Sequence, residues 1–299
     1  MKTLGIVRRA VVVAAVALLS GATTYAEVGV VVDSQRPDLK NPYVLGIITD
    51  DPDPLGTWIP FEPGLSARVA LNPTGDVNGD GKPSIVRNHV SGLAVVAWSR
   101  NSPSGYDVVV SHFAGGSWSG PEVLAGSPSD EREPFLTIDP ADGTFHVVYW
   151  IDDAFPRVMH RQAPADLSSW SAPVQVSQAG ENACVPSAAV HEGALRVVYE
   201  IHDLGVGLAP RQIAMATADA GGFVREILST TWHAGKNWPE VHSAAGVLWV
   251  DWVDADDEMA WLRRDPQTGV WEPVRTEGYG SIEERDYHVR GGIRFKAWD

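Results

Sequence analysis

One phrase recurs five times along this 299-residue chain. A strand, led by proline in four of the five copies, is followed by a short turn and a Val- and Trp-rich strand. A third strand and a step built on Trp or Phe complete the unit. The opening strands read KPSIV from Lys82, EPFLTI from Glu133, VPSAAV from Val185, WPEVHS from Trp238 and DYHVRG from Asp286. The closing steps carry Trp58, Trp118, Trp170, Phe223 and Trp271. A period of roughly 50 residues with about four strands per unit is the signature of a radial array of small sheets, a β-propeller.

The phase of the repeat predicts how the ring closes. The second strands read LAVVAWSR from Leu93, FHVVYWID from Phe145, LRVVYEIH from Leu195, LWVDWVDA from Leu248 and IRFKAWD from Ile293, and the last copy ends there. Residues Tyr43 to Gly64 align with the outer half of a unit. The expectation is one all-β domain over 43–299, a single five-bladed β-propeller. Its last blade takes outer strands from the N-terminal segment and inner strands from the C-terminal one, which hides edges that invite aggregation. Pro83, Pro134, Pro186 and Pro239 are expected at the start of each innermost strand, where an unpaired edge tolerates proline. A two-sheet sandwich is the competing architecture, and the regular period argues against it.

Residues 1–26 read as a signal peptide: Lys2, Arg8 and Arg9, then AVVVAAVALL, then small residues around Ala26. The apolar run is short for a membrane span, so an exported, soluble protein, extracellular or periplasmic, is expected, with an uncleaved anchor as the alternative. Residues 27–42, ahead of the repeat, are expected to form an extended lead-in. Loss of Lys2, Arg8 and Arg9 would take the formal charge from −15 to −18, which argues against nucleic acid or an anionic membrane as partner. The single cysteine, Cys184, has no internal disulfide partner. With no histidine near it in sequence, it reads as a small buried filler.

DPADGTFHVVYWIDD from Asp139, followed by SSWSAPVQVS from Ser168, resembles the sialidase-like propellers with Asp-box (BNR) repeats. The likeness covers 43–299 as rhythm more than identity. The box is degraded throughout, nearest to intact at Thr217 to Phe223, and in that family it is a turn-forming element that marks fold. The family's enzymes have six blades, an arginine triad and a nucleophilic tyrosine. Arg132, Arg285 and Arg290 with Tyr287 are the residues available for those roles, and nothing in their spacing singles them out. A second, local likeness is DVNGDGKPSIV, Asp76 to Val86, which resembles the calcium loop of FG-GAP repeats. It implies Ca2+ held by Asp76, Asn78, Asp80, the Lys82 carbonyl and Ser84, which stands where the family has Asp. Alternating oxygen donors before a glycine suit calcium; Asp, Asn and Gly also gather in turns for conformational reasons alone.

Loops on one rim of a propeller converge, and here they are polar and aromatic, the default setting for a binding site. Arg132, Glu133, Glu200, His202, Asp203, Asn237, Trp238, Arg285, Asp286 and Tyr287 are the expected ligand-binding residues. Glu200 breaks the column that reads Trp98, Trp150, Glu200, Val253 and Trp298, and a carboxylate there costs stability unless paired or used. Asp251 and Lys296 read as an ion pair between neighbouring blades. The expected function is a secreted module that binds carbohydrate. Glycoside hydrolysis is the alternative, with Glu133, Glu200, Glu240 and Asp286 as candidate carboxylates; such chemistry needs two, about 5–9 Å apart. A scaffold with a protein partner is the third class. No dinucleotide, phosphate-loop or nucleophile-elbow motif is present.

Overall fold

The computed structural model describes residues 43–44, 69–71, 80–202, 211–229, 238–244, 246–253, 259–277, 287–290 and 293–296. Among them there is no helix, hence none long and apolar enough to cross a membrane. Two short strands, β1 (Tyr43–Val44) and β2 (Val69–Ala70), pair with each other. The first full sheet contains β3 (Gly81–Arg87), β4 (Ala94–Ser102) and β5 (Gly105–Ala114), with β6 (Ser117–Trp118) and β7 (Glu122–Ala125) both on β5. The second runs β8 (Asp130–Ile138), β9 (Phe145–Asp152), β10 (Arg157–Ala163), β11 (Val174–Gln175). The third runs β12 (Ala183–His191), β13 (Ala194–His202), β14 (Arg211–Asp219), β15 (Gly222–Ile227). The fourth runs β16 (Glu240–Ala244), β17 (Val247–Val253), β18 (Met259–Arg264), β19 (Arg275–Glu277). The pair β20 (Tyr287–Arg290) and β21 (Ile293–Lys296) ends the chain's described part. All pairing is antiparallel.

The sheets succeed one another face to face. Innermost strands β3, β8, β12, β16 and β20 touch in that order. Period-2 alternation explains why the second strands are apolar on both faces, since each sheet is sandwiched between two others. Val95 and Ala97 of β4 meet Val147 and Tyr149 of β9. Val148 and Trp150, on the other face of β9, meet Val197 and Tyr199 of β13. Val198 of β13 in turn meets Leu248, Val250 and Trp252 of β17. Leu71, directly after β2, packs on Val96, Trp98 and Val109, the free face of the first sheet. The N-terminal pair therefore borders the first sheet, and the C-terminal pair borders β16 of the fourth. The two pairs remain separate sheets among the described residues.

The prolines do not sit at strand starts as expected, except Pro239, which precedes β16. Pro83, Pro134 and Pro186 lie inside β3, β8 and β12, where each ladder slips register, between Gly81 and Ser84, Arg132 and Phe135, and Cys184 and Ser187. Proline lacks a donor, and a bulge needs none there. The residue before each proline takes the left-handed region: Lys82 at φ 49°, Glu133 at 49°, Val185 at 51° and Trp238 at 32°. A non-glycine residue in that region costs roughly 1–3 kcal/mol and gathers where backbone is being aimed at something.

Candidate functional site

The four residues before proline occupy equivalent places on neighbouring innermost strands. Lys82 is exposed, and Glu133, Val185 and Trp238 are half-buried. Two of these steps are held from the preceding sheet by a side-chain acceptor. Ser99 Oγ takes the Glu133 backbone N–H at 2.8 Å, and Glu200 Oε1 takes that of Trp238 at 2.8 Å. Lys82 Nζ lies 5.9 Å from the centre of the Trp238 ring, within cation–π reach.

Glu200 is the hub. It is 0% exposed, yet three donors converge on it. Its Oε2 accepts from His202 Nε2 at 2.7 Å and from Arg211 Nη1 at 3.0 Å, while Oε1 serves Trp238. The break in the Trp column is thereby satisfied, as a buried charge must be. Cys184 stands directly across the ladder from Glu200, and its Sγ lies 3.2 Å from the same His202 Nε2. No histidine is near the cysteine in sequence, and strand pairing brings His202 over from 18 residues away. The cysteine is nonetheless no nucleophile. A relay needs the thiol on one ring nitrogen and the acid on the other, whereas both share Nε2 here. Burial, together with Glu200 and Glu133, also pushes the thiol pKa well above its ordinary value.

Glu133 lies close enough to feel this cluster. Burial raises its pKa, opposed by Lys82 and the nearby Trp150 indole, and reinforced by Glu200. Arg132 faces elsewhere, bridging Asp130 at 2.5 Å and Asp152 at 3.3 Å over the Tyr106 ring at 4.3 Å. Backbone donation from Tyr106 holds Asp130 below the usual carboxylate range, with Arg132 adding to the effect. A free arginine for a triad is thus absent at Arg132. Glu240 lies apart, on β16, beside His242 and Asp251. Burial opposes charge on His242, but the two flanking carboxylates lift its pKa to about 10. Asp251 accordingly meets a histidine on its own sheet; the Lys296 side chain expected to pair with it is outside the described residues.

The remaining expected residues divide as follows. Asp203, Asn237, Arg285 and Asp286 lie outside the described residues, as do Asp76 and Asn78 of the proposed calcium loop. Tyr287 and Arg290 are described only as members of β20. Asp80 accepts Trp98 Nε1 at 3.1 Å and the Asn101 backbone N–H at 3.0 Å. Ser84 Oγ accepts the Leu136 N–H of the next sheet at 2.9 Å. These two donors of the expected ion cage thus hold the first sheet to itself and to its neighbour. Lys82, Cys184 and Arg211 were not expected in the site. The column of residues before proline carried a signal for Lys82, but Arg211 is connected to Glu200 only through the β13–β14 register.

No family model matches the chain, and no curated protein matches it. Solved structures do share its fold. A protein of unknown function from Dyadobacter fermentans superposes with a TM-score of 0.55 at 12% identity, over 70% of this chain and 72% of that one. The intramolecular trans-sialidase of Ruminococcus gnavus gives 0.52 at 8% identity, over 67% and 71%. The GH93 α-L-arabinofuranosidase of Fusarium graminearum gives 0.50 at 15% identity, over 70% and 67%. At such identities the likeness is one of fold, and function has to be argued from the site.

Proposed function

We propose that the chain binds carbohydrate at the rim where the innermost strands begin. The observation that carries this is the Trp238 step. Its backbone is fixed by a fully buried glutamate, its indole is half-buried beside Lys82, and Glu133 holds the equivalent position on β8, the strand next to that of Lys82. A held aromatic face next to polar groups suits a sugar ring, which offers a C–H face for stacking and hydroxyls for hydrogen bonds. Trans-sialidase and arabinofuranosidase activity among proteins of this fold agrees with a glycan ligand.

Binding is favoured over hydrolysis by the state of the carboxylates. Glu200 is sealed and saturated, Asp130 and Asp152 engage Arg132, and Glu240 lies beside His242. Among the candidate carboxylates that are described, that leaves Glu133 alone, where hydrolysis asks for two. The raised pKa of Glu133 suits a general acid and supports hydrolysis as the second reading, with Asp286 as the partner it would need. Retention of intact oligosaccharides from a mixed panel, analysed by mass spectrometry, tests the proposal. Affinity should fall about tenfold or more in Trp238→Ala, the usual cost of an aromatic anchor. New shorter glycans, abolished by Glu133→Gln, would establish the enzyme instead. Indifference to every sugar would leave the scaffold.

We further propose that the β1–β2 and β20–β21 pairs join as a fifth blade, since each borders one end of the four-sheet series. The Asp-box ancestry, export by the leader and a Ca2+ at the Asp76 loop are proposals of the same standing. The last is checked by whether calcium or a chelator moves the melting temperature.

A further inference from the structure

Among the described residues, His202 and His242 both meet buried acids, and they do so differently. His202 Nε2 lies 2.7 Å from Glu200, the length of a charge-assisted hydrogen bond. His242 Nε2 stands 3.5 Å from Glu240 Oε2 and 3.3 Å from Asp251 Oδ2. The nitrogen is buried and makes an aligned hydrogen bond to neither. Had a shared proton organised this group, the nitrogen would be expected to close on one carboxylate as His202 does.

The spacing has another natural explanation. Ligand atoms about 2.0–2.1 Å from a tetrahedral ion stand about 3.4 Å from one another. The three side chains are also correctly directed. Glu240 and His242 are two apart on β16 and share a face, and Asp251 is the direct ladder partner of Glu240. Like charges directly opposite on adjacent strands repel unless a cation offsets them, and a metal ion would take over that role from the protonated His242 ring. Exposure rises from Asp251 at 3% through His242 at 15% to Glu240 at 27%, a graded path from the interior to solvent.

We propose that Glu240, His242 and Asp251 bind a divalent first-row metal ion on the innermost strand of the fourth sheet. One imidazole and two carboxylates suit zinc, cobalt or manganese and lack the six to eight oxygens that calcium seeks. The site is independent of the glycan rim, which belongs to the residues around Glu200, and of the Asp76 loop. Its role would be to tie β16 to β17 where the fourth sheet meets β20.

Cobalt(II) is the probe. The full chain, stripped with chelator, is titrated with Co2+ and followed by visible absorption and by equilibrium dialysis. One ion per chain is expected, with the intense bands of four-coordinate cobalt, displaced by Zn2+ but not by a large excess of Ca2+. Glu240→Gln and His242→Gln should each weaken uptake at least tenfold. Glu240 is partly exposed, so its variant keeps the fold and the test stays decisive. Cys184→Ser, which alters the other group of ligand-type side chains at Cys184, Glu200 and His202, should leave uptake unchanged. The proposal fails if the wild type takes up no cobalt, if Glu240→Gln and His242→Gln bind as the wild type does, or if Cys184→Ser removes the ion.

Discussion

Replacing Glu200 by Gln is the most informative single change. Glutamine keeps the shape and one acceptor oxygen, so the Trp238 N–H can still be met. Its NH2 group, however, then faces His202 and Arg211, which are donors where the carboxylate accepted from both at 2.7 and 3.0 Å. Removing one partner of a fully buried ion pair costs about 3–5 kcal/mol. Arg211 and His202 retain 29% and 22% exposure, and water reaching them lowers the expected loss to roughly 2–3 kcal/mol. For a chain of this size that corresponds to a fall in melting temperature of about 3–5 °C. Thermal unfolding followed by tryptophan fluorescence gives the number directly. A cycle with Arg211→Met then isolates the pair. The double variant should be less destabilised than the sum of the singles, by about 0.5–3 kcal/mol. A single variant within about 1 °C of wild type, or strictly additive changes, would refute the assignment of Glu200 as the hub.

Two further outcomes follow from the junctions and the histidines. Ser187 Oγ accepts the Val241 N–H of the next innermost strand at 3.2 Å, so Ser187→Ala orphans a buried donor and should cost about 1–3 kcal/mol in a denaturant midpoint; no change would mean that water replaces the hydroxyl. His146 Nδ1 and His160 Nε2 lie 3.0 Å apart in the interior. Burial, then the neighbouring His146, depresses His160 to about 3. The folded state therefore refuses a proton that the unfolded chain accepts below its ordinary pKa of about 6.5. Stability contributed by neutral His160 is intact above that value and is lost as pH falls towards 3, by about 2 kcal/mol at pH 5. Urea titrations at pH 7 and pH 5 should show a smaller decrement in His160→Gln than in wild type, and equal decrements would dismiss the pair as the source.

The sequence by itself determined the repeat, the succession of strands within each unit and the oddity of Glu200. All three are local: side chains alternate every second residue, proline punctuates one strand in four of the five units, and a column of tryptophans exposes its exception. The same locality explains the failures. Pro83, Pro134 and Pro186 looked like strand starts because a sequence carries no sign of a register slip that lets a strand begin earlier. Cys184 looked isolated because His202 reaches it only across the ladder. Arg211 gave no signal, since its tie to Glu200 depends on how β14 returns beside β13. The side chain of Lys82 gave no sign of its partner either, since the packing of sheets puts its Nζ near Trp238, 156 residues away. Tertiary structure alone decided which polar groups meet, because those meetings cross from one strand or sheet to the next, and the one-dimensional repeat specifies each unit far better than the contacts between units.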